Sequence, residues 1–171
     1  MKRIRRIVAV LFIFMFVLCD SVSANDIGGS IIIDHAIAGE TYTIYKMLDL
    51  ESFDGDNYSY KVVSSEWDEF FDSGDGRFYF DVNSNGGVTF VGDEQNMSLV
   101  AQKALVYAKS HEGITKKSQR AVGGIVEFKD LDLGYYLVDS SVGVLCGLTT
   151  TNYVVHVEEK NEKPTLSKYV K

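Results

Sequence analysis

Cysteine and proline are nearly missing from this sequence: Cys19, Cys146 and Pro164 are the only examples in 171 residues. So few thiols exclude a disulfide-stapled scaffold and the paired C-x-x-C ligands of a zinc site. No Pro/Ser-rich linker or internal repeat is visible. Histidine is also scarce, and His35, His111 and His156 each lack a partner nearby in sequence, so each reads as satisfied or solvated. The chain contains no G-x-S-x-G elbow, H-E-x-x-H site or G-x-x-x-x-G-K-[ST] phosphate loop. Positive charge is outnumbered, with 17 Lys and Arg against 24 Asp and Glu and a net charge of -7. That balance argues against non-specific nucleic-acid binding, which needs clustered cations to displace counterions. No apolar run approaches the roughly 20 residues that a membrane-spanning helix requires.

Four of the basic residues, Lys2, Arg3, Arg5 and Arg6, precede a 13-residue apolar run at positions 7–19. As a helix that run measures about 20 Å, too short for a hydrocarbon core of about 30 Å. The small residues Ser23 and Ala24 follow, so residues 1–24 are expected to be a secretory signal peptide cut before Asn25, with a signal anchor as the alternative. Cleavage leaves 13 basic and 23 acidic residues, a net charge of -10, and Cys146 as the only thiol. No membrane contact is expected after cleavage. The apolar surroundings of Cys146 suit a buried small hydrophobe better than a reactive thiol.

The whole chain is 46% hydrophobic and 24% charged, the composition of a globular domain. Short β-branched and aromatic runs at 30–34, 40–50, 58–63, 77–82, 88–91, 124–128, 135–139 and 152–158 read as strands. Two segments break that pattern. Met97, Ala101, Ala104, Leu105 and Ala108 form one helical stripe, with Asn96 placed to cap its start and Gly113 to end it. A shorter helix near 66–71 would turn Trp67, Phe70 and Phe71 toward the sheet. The expected fold class is mainly β, a β-sandwich with one inserted α-helix at about 96–112. Pro164 marks a boundary, giving a β-sandwich domain over 25–161 and a linker with the start of a second module over 162–171.

Asp81, Asn83 and Asn85, followed by Gly86, match the first half of a calcium loop, in which oxygens at alternate positions wrap the cation. The twelfth position is Gly92 where a bidentate Glu is needed, and Asn85-Gly86 between strand-like flanks is also a hairpin signal. No other metal site and no cofactor is expected. Acidic pairs such as Asp54/Asp56 and Asp130/Asp132 fall in loops, where solvation is the simpler reading than paired-carboxylate hydrolysis.

Four blocks carry a family resemblance: Gly39-Glu40-Thr41-Tyr42-Thr43-Ile44-Tyr45-Lys46; Leu131-Asp132-Leu133-Gly134-Tyr135-Tyr136-Leu137-Val138-Asp139-Ser140-Ser141; Leu148-Thr149-Thr150-Thr151-Asn152; and Glu159-Lys160-Asn161 with Pro164-Thr165 and Lys168. Their order and spacing resemble the N-terminal domain of Gram-positive sortase-assembled pilins, the isopeptide-forming fimbrial family. The resemblance implies an Ig-like, collagen-adhesin B-like sandwich on the cell surface or cell wall. It implies other pilin subunits, joined covalently, and a sortase as partners. Laid on the family's W-x-x-x-V-x-V-Y-P-K pattern, Val155 and Val157 match the valines and Lys160 the linking lysine. Thr151 stands for the Trp, and Glu158-Glu159 for Tyr-Pro. Lys168 resembles the lysine that opens the next domain and forms its internal Lys–Asn isopeptide bond. Within the first domain, Lys46 with Asp139 and Asn152 is a remote alternative for such chemistry, against an outward-facing Lys46.

The sequence therefore points to a structural fimbrial domain without turnover chemistry of its own. The alternative is a secreted adhesin-like module that contacts a host or glycan ligand through loops at 54–57 or 143–150.

Overall fold

The computed structural model describes residues 28–54, 57–139 and 143–159. The expected leader, residues 162–171, Lys160 and Lys168 lie outside them. Ten strands form: β1 (Gly29–Asp34), β2 (Thr41–Asp54), β3 (Asn57–Val62), β4 (Phe80–Val82), β5 (Gly87–Phe90), β6 (Lys116–Arg120), β7 (Ile125–Leu131), β8 (Gly134–Asp139), β9 (Val144–Leu148) and β10 (Val154–Glu158). Two helices join them, α1 (Asp68–Asp72) and α2 (Met97–Ser110). The fold is mainly β, as the strand-like runs predict.

One sheet has the order β10-β1-β7, and a seven-stranded sheet has the order β4-β5-β3-β2-β8-β9, with β6 also paired to β2. The two sheets bury Ile31 and Ile33 of β1, Val126 and Phe128 of β7, and Val157 of β10 against Tyr42 and Ile44 of β2, Tyr136 and Val138 of β8 and Leu148 of β9. This is the sandwich core. The other face of the large sheet, with Tyr45, Met47 and Leu137, is covered by Trp67, Phe70 and Phe71 around α1 and by Val100, Ala101, Ala104 and Ala108 of α2. The larger sheet is therefore buried on both faces at its centre. That is why Tyr136, Leu137 and Val138 are consecutive buried residues where simple alternation would expose one.

Irregular pairing in β2 at Lys46/Leu48 lets Met47 and Leu48 face the helices together, before Leu50 returns to the sandwich core. At the β7–β8 corner the Tyr136 hydroxyl donates to the Asp132 carbonyl at 2.7 Å, the bond that tyrosines make at the corners of Ig-like sandwiches. Gly134 follows with φ of 149°, where a Cβ would collide with the Leu48 carbonyl oxygen.

Several local expectations are corrected. A 3-10 turn over Glu94–Asn96 feeds straight into α2, and Asn96 makes no side-chain cap. The helix stops at Ser110, whose hydroxyl donates to Tyr107 O, before Gly113 is reached. Positions 77 and 78 lie in a 3-10 turn, Asp75–Phe78, because Gly76 packs its bare Cα face on Phe70. The shorter helix is a 3-10 turn, Ser65–Trp67, continued by α1, and its three aromatics are buried as expected.

Candidate functional site

The first and last of the described strands are neighbours and run parallel, with Ser30, Ile31, Ile32, Ile33 and Asp34 facing Val154, Val155, His156, Val157 and Glu158. Their pairing is closed at both ends: Ser30 N–H donates to Tyr153 O at 2.7 Å, and Glu159 N–H donates to Asp34 O at 3.0 Å. Parallel strands share a direction, so the chain comes in beside Gly29 and leaves beside Glu159, about 20 Å further along at ~3.3 Å per residue. His156 Nδ1 and Asp34 Oδ2 lie 2.7 Å apart across the two strands. An ionised carboxylate only accepts, so Nδ1 carries the proton of this bond. Glu159 is buried at the end of the pair. Lys160 is the next residue in sequence and lies outside the described residues.

Lys46 is turned toward the sandwich side, on the face it shares with Ile44, and is mostly covered rather than outward. Its ammonium pairs with Asp49, stands 3.7 Å from Asp132 and lies 6.0 Å from the centre of the Tyr136 ring. Asp139 instead pairs with Lys109 at 2.8 Å, and Asn152 N–H donates to Thr149 Oγ1. The three residues Lys46, Asp139 and Asn152 are thus not brought together. An ammonium held between two carboxylates is a poor nucleophile, because attack on an amide requires the neutral amine.

Asp81, Asn83 and Asn85 lie on and just beyond β4 at the β4–β5 hairpin. Asn83 Oδ1 accepts from Asn85 N–H at 2.9 Å and from Gly87 N–H at 3.0 Å, so its oxygen organises the turn. Among the described residues no group of three or more His, Cys, Asp or Glu side chains could hold a metal ion. Cys146 is buried in the sandwich core, and burial pushes its thiol up to about 12, away from nucleophilic character at neutral pH. Residues 144–148, expected in a ligand-binding loop, are strand β9, paired along its length to β8. A cavity of about 590 Å³ opens between the large sheet and the helices, lined by Tyr60, Phe80, Val88, Phe90, Met97 and Tyr135 among others. Burial, with the neighbouring Tyr135 and Tyr58 adding to it, pushes the Tyr60 hydroxyl up to about 12. That lining has no charged side chain to move a proton or hold an ion.

These observations define a β-sandwich whose first and last described strands are joined as one parallel pair. No protein-family model matches the chain, and no curated protein matches it. Among solved structures, the full-length major pilin SpaD from Corynebacterium diphtheriae is similar at a TM-score of 0.39 and 19% identity. The match covers 80% of this chain and 30% of that one. No described helix is long and apolar enough to cross a membrane.

Proposed function

We propose that this chain is a structural domain of an exported, cell-surface fibre subunit, and that tension along the fibre passes through the β1–β10 pair. The observation that carries this reading is the parallel pairing of first and last strands, five residues in register. Pulling on the two chain ends loads all of those cross-strand contacts in shear together, whereas adjacent ends on antiparallel strands would open one contact at a time. Lys160 comes two residues after the end of β10 in the sequence and is the residue that an incoming acyl-enzyme would use to join subunits. Lys168 serves the internal isopeptide bond of a following module. The resemblance of the Gly-Tyr-Tyr-Leu-Val-Asp and Glu-Lys-Asn blocks to sortase-assembled pilins supports the same reading. The domain acts without turnover.

The test uses the full-length protein produced together with its sortase. Lys160→Ala is expected to abolish the covalent ladder while leaving a subunit mass deficit of about 17 Da per internal bond, one ammonia lost as an amine attacks an amide. Lys168→Ala is expected to erase that deficit and spare the ladder. Ladders that persist without Lys160 would sink its assignment.

A further inference from the structure

Strand β6 is an edge that nothing among the described residues covers. It pairs only with Thr41–Tyr45 of β2, and all five of its residues, Lys116, Lys117, Ser118, Gln119 and Arg120, are exposed. Along its other side, alternate residues turn their N–H and C=O groups outward, as any edge strand does. Its charge is opposite to that of the molecule. Three cations occupy five positions in a chain with a net charge of -7, and the side chains of Lys116 and Lys117 make no ion pair or hydrogen bond with any described residue. The nearby Glu66 carboxylate is occupied, accepting from the Thr115 N–H at 2.9 Å and the Thr115 hydroxyl at 3.1 Å. The strand is held in place from its other side, by a Thr43–Ser118 hydroxyl contact at 2.9 Å and by Arg120 Nε donating to Gly39 O at 2.9 Å.

We propose that β6 is a docking edge for an extended acidic segment of a partner polypeptide, which adds as a further strand. Backbone groups along the edge would supply the ladder, and carboxylates the selectivity. The register fixes the pattern. Lys116 shares the face of Tyr45, and Arg120 that of Thr41, while Lys117 shares the opposite face with Ile44. A strand laid alongside meets Lys116 and Lys117 with carboxylates at two successive positions, one on each face, and meets Arg120 with a third three positions beyond. Charge also rules out the simplest competitor, since two β6 edges brought together would set lysine against lysine. This inference is independent of the fibre reading, because it uses neither chain end nor Lys160.

The probe is a dye-labelled peptide, Thr-Val-Glu-Glu-Val-Thr-Glu, titrated into the secreted chain and followed by anisotropy, with a copy carrying Lys for every Glu as control. Saturable binding of the acidic peptide is expected, with the outward-facing amides of β6 shifting in the NMR spectrum. Lys116→Glu/Lys117→Glu alters only exposed side chains, so the fold should persist by circular dichroism. That double variant is expected to weaken the acidic peptide about tenfold, the scale of two exposed ion pairs turned to repulsion, and to favour the Lys peptide instead. Equal binding of both peptides, or no saturation, overturns the proposal. So does binding of a sulfated oligosaccharide in place of the peptide, or a double variant whose only effect is to abolish self-association of the chain.

Discussion

His156 Nδ1 of the last strand stands 2.7 Å from Asp34 Oδ2 of the first, joining two residues 122 positions apart. The bond is conspicuous, yet its side chains are 58% and 27% exposed. Exposed pairs of this kind are worth about 0.2–1 kcal/mol. Val157, one residue further along β10, is 4% exposed and packs in the sandwich core. His156→Ala is therefore expected to cost under about 1 kcal/mol, and Val157→Ala about 2 kcal/mol, because the second removes buried apolar surface and leaves a void. Urea unfolding of both variants decides it. A larger loss for His156→Ala would place the docking energy of β10 in the His156–Asp34 hydrogen bond and not in the core.

Trp67 is the only tryptophan and sits at the centre of the helical layer, fully buried, with its ring 5.7 Å from Phe70, 6.5 Å from Phe71 and 5.6 Å from Tyr107. Among the described residues its Nε1 has no hydrogen-bond partner. Losing the ring removes packing alone, so Trp67→Ala is expected to cost about 3–5 kcal/mol. Trp67→Phe keeps most of the apolar contact and sheds an unsatisfied donor, so it should cost clearly less. Far-UV circular dichroism in denaturant measures both. Equal losses would mean that the indole nitrogen, and not the ring, matters.

What could be read from the sequence follows how strongly burial patterned each element. Helix α2 was legible because Ala101, Ala104 and Ala108 repeat at helical spacing against one sheet face, and β1 because Ile31 and Ile33 alternate with half-exposed neighbours. Strand β6 was not. Its five residues are all polar and exposed, and its extended form is imposed by pairing with β2. Strand β9 does not stand out in the sequence, because five residues containing Gly147 carry too short a pattern to separate from a turn. The inward turn of Lys46 was hidden by the irregular pairing at Lys46/Leu48, which breaks the count of faces along β2. Neither the His156–Asp34 contact nor the shear geometry of β1 and β10 has a local signal, since both arise from pairing the two ends of the domain. The Asn83 turn, by contrast, lies within one hairpin, where Asn85-Gly86 announced it.

Gly134 tests the tight corner between β7 and β8. Its φ of 149° belongs to a region that L side chains rarely adopt, and an added Cβ would meet backbone at Leu48, which cannot swing aside as a side chain can. Gly134→Ala is expected to destabilise the domain by about 3 kcal/mol or more, the combined scale of backbone strain and collision. Gly123 has a φ of 90° but open space around it, so Gly123→Ala should cost about 1 kcal/mol from strain alone. Melting temperatures of the two variants separate the contributions. Equal shifts would show that the approach of Leu48 does not constrain the corner.

Alkaline pH should weaken the fold through groups that burial holds protonated. The Cys146 thiol is raised from an ordinary value of 9.0 to about 12 by desolvation in the sandwich core. Tyr60 is raised from 10.0 to about 12, chiefly by burial and then by Tyr135 and Tyr58. In the unfolded chain these groups lose their protons at ordinary values, so above pH ~9 the unfolded state binds fewer protons than the native one. Stability therefore falls as pH rises. The contribution of Cys146 is fully present below pH ~9 and is lost progressively as pH approaches the folded value of about 12. Cys146→Ala removes that thiol and should flatten the decline between pH 9 and 11 without abolishing it, because Tyr60 still titrates. Whatever offset the smaller side chain causes, the readout is the slope of the urea midpoint against pH. Parallel slopes for the two proteins would show that the native fold does not hold the thiol protonated.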